Sequence, residues 1–332
     1  MAGRVGMRGR RRRRARFTAL IAIVLLALGA YALVLRGKDH PSPQERVEAP
    51  PGPLEPSSTA PLAGGGTEPS PLAVRLDQPG DAIQMDFKHP PRSALLFDID
   101  TGRVLWRRDP TRVLPIASLT KMMTALVVAD RIPPGSKVRV TKEALAYQGS
   151  GVGVLPRGKW IGVNTMLYGL LLPSGNDAAI ALAQRAAGGS VSRFVGYMNE
   201  KAKALGLVCT RFSSPSGFVD KGNHSCAGDL AAIARAVLRE PRLARVVRSR
   251  RAVLPFPIKG GKLYLYNNPL LRMGYPGTTG LKTGYTDAAG RCLVATARRG
   301  AIKLGVVLLN SPDPGKQAMQ LLNRGFRASR GA

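Results

Sequence analysis

The chain has 332 residues, of which 44% are hydrophobic and 5% aromatic, so it is long enough for one large domain with a substantial core. Its formal net charge of +30 has three explanations: a nucleic-acid partner, an anionic surface such as a membrane or wall polymer, or a generally Arg-rich composition. Nucleic acid is disfavoured as a partner, because beyond the N-terminus the basic residues are scattered and aromatic residues are few.

A membrane segment is predicted near the N-terminus. Residues 1–16 contain the arginine run Arg10–Arg14, and no acidic residue precedes Asp39. Residues 17–35 are almost wholly apolar, and as a helix they come close to the ~30 Å hydrocarbon core of a bilayer. The positive-inside rule then makes residues 1–16 cytoplasmic, 17–35 a single-pass anchor and the rest extracytoplasmic. A cleaved signal peptide with a site at Ala27-Leu28-Gly29, giving a secreted protein, is the alternative.

Residues 36–91 are rich in Pro, Gly and Ser and lack a periodic apolar pattern. Such a segment buries too little apolar area to offset the entropy of ordering it, so it predicts a semi-flexible spacer. The short stretch from Ile83 to Phe87 is the first candidate for order. The catalytic domain is predicted over residues 92–328.

Within that domain, Ser93–Ile99 and Arg103–Trp106 predict the two strands of a β-hairpin, and a helix is predicted after Ser118. Later helices are predicted at 166–172, 176–187, 191–205, 227–239 and 315–328. Later strands are predicted at 262–266, 280–284, 291–297 and 303–309. Strands at both ends with helices between them indicate an α/β (α+β) fold, in which helices cover the faces of an antiparallel sheet.

The segment Ser118-Leu119-Thr120-Lys121 is the one S-x-x-K sequence in the chain. On a helix, positions i and i+3 share a face, so the Lys121 amine can reach the Ser118 hydroxyl. A serine needs an adjacent base to become a nucleophile, and a buried lysine with a lowered pKa is such a base. Alternatively, Ser118 only caps the helix.

Two further short segments carry candidate functional groups. In Ser174-Gly175-Asn176, the Ser174 hydroxyl is a candidate second proton relay and Asn176 a candidate contact to a substrate amide. In Lys282-Thr283-Gly284, the lysine supplies charge for a substrate carboxylate and the glycine allows a substrate backbone to approach the strand. The structural alternatives are a helix cap for the first segment and a strand end for the second.

The order S-x-x-K, S-x-N, K-T-G is found in penicillin-binding proteins and class A β-lactamases. The segments Pro115–Thr124, Ser174–Ala179 and Gly280–Thr286, and the stretch 205–231, resemble the D-alanyl-D-alanine carboxypeptidases, the low-molecular-mass penicillin-binding proteins of peptidase family S11. The resemblance covers about residues 92–310. It implies the β-lactamase/transpeptidase-like fold, with three α-β-α layers, about five antiparallel strands and a helical subdomain.

The same resemblance implies a serine-type D-Ala-D-Ala carboxypeptidase that removes the terminal D-Ala from peptidoglycan stem pentapeptides in cell-wall maturation. Ser118 would form the acyl-enzyme, Lys121 would accept its proton, and Ser174 would pass a proton to the leaving amine. The implied substrate-binding residues are Asn176, Lys282, Thr283, Gly284 and Tyr285. The backbone N–H groups of Ser118 and Tyr285 would form the oxyanion hole.

No metal or cofactor is required, and β-lactams would acylate the same serine. Endopeptidases and transpeptidases share this acyl-enzyme and differ in the group that attacks it.

Three other functional classes are weaker. A class A β-lactamase needs a glutamate that activates the deacylating water, and the only carboxylates between Lys121 and Ser174 are Asp130 and Glu143, in no recognisable loop motif. A Ser-His-Asp hydrolase has no G-x-S-x-G sequence to support it, and His224 is the only histidine after residue 89. A non-catalytic wall-binding module is disfavoured because all three motifs are intact.

The chain has three cysteines, Cys209, Cys226 and Cys292, and an odd number leaves at least one outside any intrachain disulfide. In an oxidising compartment, a Cys209–Cys226 bond would close a short loop; the alternative is three buried, inert thiols. No C-x-x-C sequence is present, so neither a zinc site nor a redox site is predicted.

Overall fold

The computed structural model describes residues 70–78, 81–218, 221–267 and 274–330. The predicted cytoplasmic segment 1–16 and membrane segment 17–35 lie outside these residues, as does most of the predicted spacer. Among the helices that are described, none combines the length and the apolar character needed to cross a bilayer.

Nine strands are found in the described residues: β1 (Ser93–Asp98), β2 (Val104–Arg108), β3 (Lys137–Arg139), β4 (Trp160–Gly162), β5 (Arg251–Pro255), β6 (Lys262–Tyr266), β7 (Thr278–Thr286), β8 (Gly290–Arg299) and β9 (Ile302–Leu309). The α-helices described are α1 (Lys121–Arg131), α2 (Lys142–Leu145), α3 (Val163–Leu171), α4 (Asn176–Ala186), α5 (Val191–Ala204), α6 (Ala227–Arg239), α7 (Pro241–Arg248) and α8 (Pro314–Ala328). The predicted helices and strands are confirmed, with ends that shift by a few residues.

The central sheet has five antiparallel strands in the order β2-β1-β9-β8-β7. The first two strands of the domain therefore share a sheet with the last three, joined by the pairing of β1 with β9, as the separation of strands in the sequence predicts. The predicted strand at 262–266, which is β6, lies elsewhere: it pairs with β5 in a separate two-stranded ribbon. Strand β7 lies at one edge of this sheet, so no strand of the sheet pairs with the outer side of its backbone.

The two faces of the sheet pack against different helices, which gives the three layers. Side chains alternate along β1, so Leu95 and Phe97 join the large core that includes α1, α3, α4 and α6. Leu96 points to the opposite face, where it joins a second core with Leu321 and Phe326 of α8. Burial of apolar side chains on both faces is what holds the helices to the sheet.

Residues 70–78 and 81–91 pack on the domain, in contrast to the predicted spacer over 36–91. The Arg107 guanidinium forms an ion pair with Asp81 at 2.7 Å, and the Arg235 guanidinium donates to the carbonyl of Leu72 at 2.7 Å. Apolar contacts add to these polar ones: Ile83 is buried in the core that contains α8, and the Phe87 ring packs edge-on against Trp106. The stretch Ile83–Phe87 is thus ordered, as the sequence suggested, and the described residues before 92 belong to the folded domain rather than to a spacer.

Candidate active site

Ser118 lies in a single 3-10 turn, Ala117–Thr120, that leads into α1, whereas the sequence predicted an α-helix from this point. A 3-10 helix has three residues per turn, so side chains i and i+3 eclipse one another. The Lys121 Nζ donates to the Ser118 Oγ at 2.8 Å and to the Ser216 carbonyl oxygen at 2.7 Å. The tight turn thus places the lysine directly beside the serine.

Lys121 is fully buried, and this sets its protonation state. Burial lowers the pKa of Lys121 well below its usual value, the positive charge of Lys282 lowers it further, and the Asp177 carboxylate opposes them more weakly. A lowered pKa favours the neutral amine, whose lone pair can accept a proton. At 2.8 Å the nearest proton that it can accept is that of the Ser118 hydroxyl.

Strand β7 lies against the 3-10 turn through Gly284. A methyl group on Gly284 would come within 3.0 Å of the Ser118 backbone nitrogen and 3.1 Å of the Ile116 carbonyl oxygen. No side chain larger than hydrogen fits there without a shift of the backbone. The glycine therefore allows the edge strand to run directly beside the serine.

Lys282 precedes this contact on the same strand. Its side chain is 1% exposed, and its Nζ donates to the Thr283 carbonyl oxygen at 2.7 Å. Burial lowers the pKa of Lys282 to about 7. Tyr285, two residues beyond Thr283, is 63% exposed, and its hydroxyl donates to the Asp287 carboxylate at 3.0 Å. The strand thus carries a buried cation on one side of Gly284 and an exposed aromatic ring on the other.

Ser174 and Asn176 each hold a buried polar atom that lacks a hydrogen-bond partner in the described residues, namely Ser174 Oγ and Asn176 Oδ1. Ser174 has a φ of 64°, in the left-handed region that costs a non-glycine residue free energy. The Asn176 amide nitrogen donates to the Gln148 carbonyl oxygen, which fixes the orientation of the side chain. Buried polar atoms normally have a hydrogen-bond partner, so two buried polar atoms without one in a single turn point to a binding site.

Residues 81–313 match the family model Peptidase S11, which is described as D-alanyl-D-alanine carboxypeptidase. This chain belongs to that family. DacB2 of Mycobacterium tuberculosis, a D-alanyl-D-alanine carboxypeptidase, is 36% identical over 245 residues, which are 71% of this chain and 82% of the relative. DacF of Bacillus subtilis, also named a D-alanyl-D-alanine carboxypeptidase, is 34% identical over 241 residues, which are 71% of this chain and 61% of the relative. This chain thus spans less than two thirds of the length of DacF.

The fold is that of a solved member of the same group of enzymes. The crystal structure of the Streptomyces K15 DD-transpeptidase aligns with a TM-score of 0.68 and 31% sequence identity, over 74% of this chain and 100% of that one. The predicted β-lactamase/transpeptidase-like architecture is therefore confirmed, and the chain has the fold of the S11 serine peptidases.

Asp177 is a residue of the site that the sequence motifs do not indicate, although it follows Asn176 directly. Its buried carboxylate accepts hydrogen bonds from the backbone nitrogens of Val152 at 2.9 Å, Gly153 at 3.1 Å and Ala178 at 2.7 Å. It thereby ties the segment before α3 to the first turn of α4. An acidic residue in the first helical turn is the one sequence signal that marks it.

Ser216 and Phe218 are two further residues of the site that the sequence motifs do not indicate. The Ser216 carbonyl oxygen accepts from Lys121, and the Phe218 ring occupies the space that a methyl group on Gly149 would need. That same methyl position is 3.1 Å from the Asn176 amide nitrogen. The segment 213–218 therefore connects the lysine to the wall that carries Asn176. Its role follows from long-range contacts that no local pattern encodes.

Cys209 and Cys226 form a disulfide with their Cα atoms 5.6 Å apart, and Cys292 is buried elsewhere. The Asp229 carboxylate lies close to both sulfur atoms and accepts from the Cys209 backbone nitrogen at 2.7 Å. Sulfurs in a disulfide lack the thiolate that binds a metal, so this cluster is a structural crosslink.

Proposed function

We propose that this protein is a serine D-Ala-D-Ala carboxypeptidase that removes the terminal D-Ala from peptidoglycan stem pentapeptides through an acyl-enzyme on Ser118. The observation that carries the proposal is the 2.8 Å contact between the Ser118 Oγ and the Nζ of a buried lysine whose pKa is lowered. Membership of the S11 family supports the same chemistry.

In the acylation step, the neutral Lys121 amine takes the proton of the Ser118 hydroxyl while Oγ bonds to the carbonyl carbon of the penultimate D-Ala. The carbonyl oxygen becomes an oxyanion, which the backbone N–H groups of Ser118 and Tyr285 stabilise. Each preorganised donor of this kind contributes on the order of 10²–10³ in rate. The closeness of Gly284 to the Ser118 nitrogen supports this pairing of donors.

The substrate is proposed to lie as an added strand along the free edge of β7, where main-chain hydrogen bonds hold it. Its terminal carboxylate pairs with the Lys282 ammonium and the Thr283 hydroxyl. Pairing with a carboxylate favours the charged lysine and raises its pKa above the value of about 7 that burial alone produces. Asn176 holds the substrate backbone from the opposite wall.

When the tetrahedral intermediate collapses, the carbon–nitrogen bond breaks and the D-Ala amine leaves with a proton. The proton that Lys121 took from Ser118 passes to it through the Ser174 hydroxyl, which has no other partner in the described residues. Water then attacks the ester carbonyl, Lys121 accepts its proton, and Ser118 regains its hydrogen as the acyl group departs. β-Lactams acylate the same serine.

The position of the two other nearby carboxylates supports a peptidase over a class A β-lactamase. Asp130 pairs with Lys201 at 2.9 Å on the far end of α1, and Glu143 is exposed in the first turn of α2. Neither is placed to activate water at Ser118.

The catalytic domain is further proposed to lie outside the cytoplasm, anchored by residues 17–35. N-terminal sequencing of the membrane fraction tests this, and a mature chain starting near Ala30 overturns it.

The function is tested by labelling the full chain with a fluorescent penicillin and by measuring D-Ala release from a pentapeptide. Wild type is expected to take one label and release D-Ala. Ser118→Ala is expected to take none, whereas Ser192→Ala, an exposed serine on α5, is expected to behave like wild type. Equal labelling of Ser118→Ala refutes the mechanism. Labelling without D-Ala release favours an endopeptidase or a transpeptidase, which cross-linked muropeptides and an added acceptor amine distinguish.

A further inference from the structure

A cavity of about 320 Å³, apart from the active site, lies between the sheet and helices α6 and α7. Thr279 lines it, five positions before Gly284 on β7, which at ~3.3 Å per residue is about 16 Å along the strand from Gly284. Its charged lining is one-sided, with five cations and one carboxylate: Arg235, Arg239, Arg248, Arg298, Lys303 and Asp100. The S11 chemistry proposed above uses none of these residues.

Two of the five cations have partners within the fold. Arg235 is 2% exposed, and its guanidinium donates to four backbone carbonyl oxygens, including that of Ile99 at 2.8 Å. The Lys303 ammonium pairs with the Asp100 carboxylate at 3.0 Å. These groups build the wall of the cavity, and Asp100 is already neutralised by Lys303.

The other three cations are arginines with unused donors. Arg239 and Arg248 are exposed, and neither side chain has a hydrogen bond or an ion pair with any residue that the structure describes. Arg298 uses only its Nε, which donates to the Gly300 carbonyl oxygen at 2.8 Å. Three guanidinium groups thus border one concave space with their terminal nitrogens available.

Helix ends explain part of this arrangement. Arg239 is in the last turn of α6 and Arg248 in the last turn of α7, where the helix dipole favours a cation. That effect accounts for each arginine singly, but not for the convergence of two helix ends with Arg298 of β8 on one cavity. The like charges oppose one another: burial, and then the charge of Arg239, lower the pKa of Arg235, while the carboxylates of Asp98 and Asp100 oppose this more weakly. An anion in the cavity would relieve this repulsion.

We propose that this cavity binds the phosphate of a phosphodiester, presented by an anionic polymer or by a lipid head group. A carboxylate is satisfied by one bidentate arginine, whereas the oxygens of a phosphate accept from several guanidinium groups at once. The volume suits a small head group, and aliphatic side chains of Ile99, Leu238 and Ala244 complete the lining. The net charge of +30 brings such anions to the surface, and the cavity gives them a defined place.

The test titrates the full chain, held in a neutral detergent, with glycerophosphoglycerol and measures binding by calorimetry. Wild type is expected to bind saturably at one site. The double variant Arg239→Gln/Arg248→Gln is expected to bind at least about tenfold more weakly. The control Arg245→Gln/Arg251→Gln removes the same charge from exposed residues outside the cavity and is expected to change the affinity within about twofold.

Thermal unfolding of each variant, which needs no catalytic activity, reports whether the fold is kept. Parallel titrations with soluble poly(glycerol phosphate) and with detergent micelles that contain phosphatidylglycerol identify the source, and the one that is bound more tightly is the better candidate. Two results overturn the proposal. One is the absence of saturable binding to all three probes. The other is an equal loss of affinity in both double variants, which indicates general attraction to a basic surface.

Discussion

Lys121, whose Nζ lies 2.8 Å from the Ser118 Oγ, is coupled electrostatically to a second buried lysine, Lys282 of strand β7. Burial lowers the pKa of Lys121, and the positive charge of Lys282 lowers it further. The pKa of Lys282 is itself lowered by burial to about 7. The proposed mechanism needs Lys121 neutral, as a base, and Lys282 charged, as a carboxylate partner. The two lysines therefore have opposite protonation requirements, and the charge of one helps to keep the other neutral.

The first prediction is a bell-shaped dependence of kcat/KM on pH for a pentapeptide. On the acid side kcat/KM rises with pH as Lys121 loses its proton and becomes a base. On the alkaline side it falls as free Lys282 loses the charge that binds the carboxylate, with a midpoint near pH 7. Initial rates of D-Ala release across the pH range measure both limbs.

Lys282→Gln separates the two limbs. We expect kcat/KM to fall between about tenfold and a hundredfold, because a charge-assisted hydrogen bond is lost. The alkaline limb should disappear, and the acid limb should move to higher pH because the charge that lowers the pKa of Lys121 is gone. An unchanged acid limb in this variant would show that the two lysines are not coupled.

The second prediction concerns the contact between β7 and the 3-10 turn. Gly284→Ala places a methyl group 3.0 Å from the Ser118 nitrogen, so the strand and the turn must separate. Because a small displacement of a reacting group is costly, we expect penicillin acylation to slow between about tenfold and a hundredfold. Gly135→Ala is the matched control, since a methyl group there meets nothing within 4 Å. Wild-type acylation by Gly284→Ala would mean that this close approach does not matter.

Local patterns predicted much of this site. Ser118, Lys121, Ser174, Asn176 and Lys282 stand in short motifs whose order along the chain is itself informative, and the structure brings the serine, the first lysine and strand β7 together. What those motifs do not encode is distance. The packing of Gly284 on Ser118 joins residues more than 160 positions apart in the sequence and appears only when the sheet is assembled.

Two features were not predicted from the sequence, for different physical reasons. Strand β5 has only five residues and pairs with β6, so the strand predicted at 262–266 forms but does not belong to the central sheet. Residues 70–78 and 81–91 are held by polar contacts with Arg107 and Arg235 and by single apolar side chains such as Ile83. Contacts spread in this way along an irregular segment leave no periodicity to detect.

The third prediction concerns the disulfide between Cys209 and Cys226, which are 17 positions apart. Closing a loop of about this length stabilises a protein by about 3 kcal/mol through the unfolded state. The double variant Cys209→Ala/Cys226→Ala is therefore expected to lower Tm by roughly 6–12 °C. The control is a reducing agent, which should lower the Tm of wild type to that of the variant and leave the variant unchanged. Equal Tm values in all four samples would exclude a stabilising crosslink.

The fourth prediction is a stabilising substitution away from the site. Gly196 is an exposed residue inside α5, and a methyl group there meets no atom within 4 Å outside the helix backbone. Alanine loses less backbone entropy in a helix than glycine, so Gly196→Ala should raise the free energy of unfolding by about 0.5–1 kcal/mol. Denaturant unfolding monitored by circular dichroism measures the change.

The matched control for Gly196→Ala is a glycine in another helix whose surroundings are closed. In α3, a methyl group on Gly169 would lie 2.7 Å from a methyl carbon of Val152. Val152 cannot retreat freely, because its backbone nitrogen donates to the Asp177 carboxylate at 2.9 Å. Gly169→Ala is therefore expected to destabilise the protein by about 1–3 kcal/mol, despite the same gain in helix propensity. If both substitutions raised stability, helix propensity alone would govern these positions and the packing of Val152 on α3 would be loose.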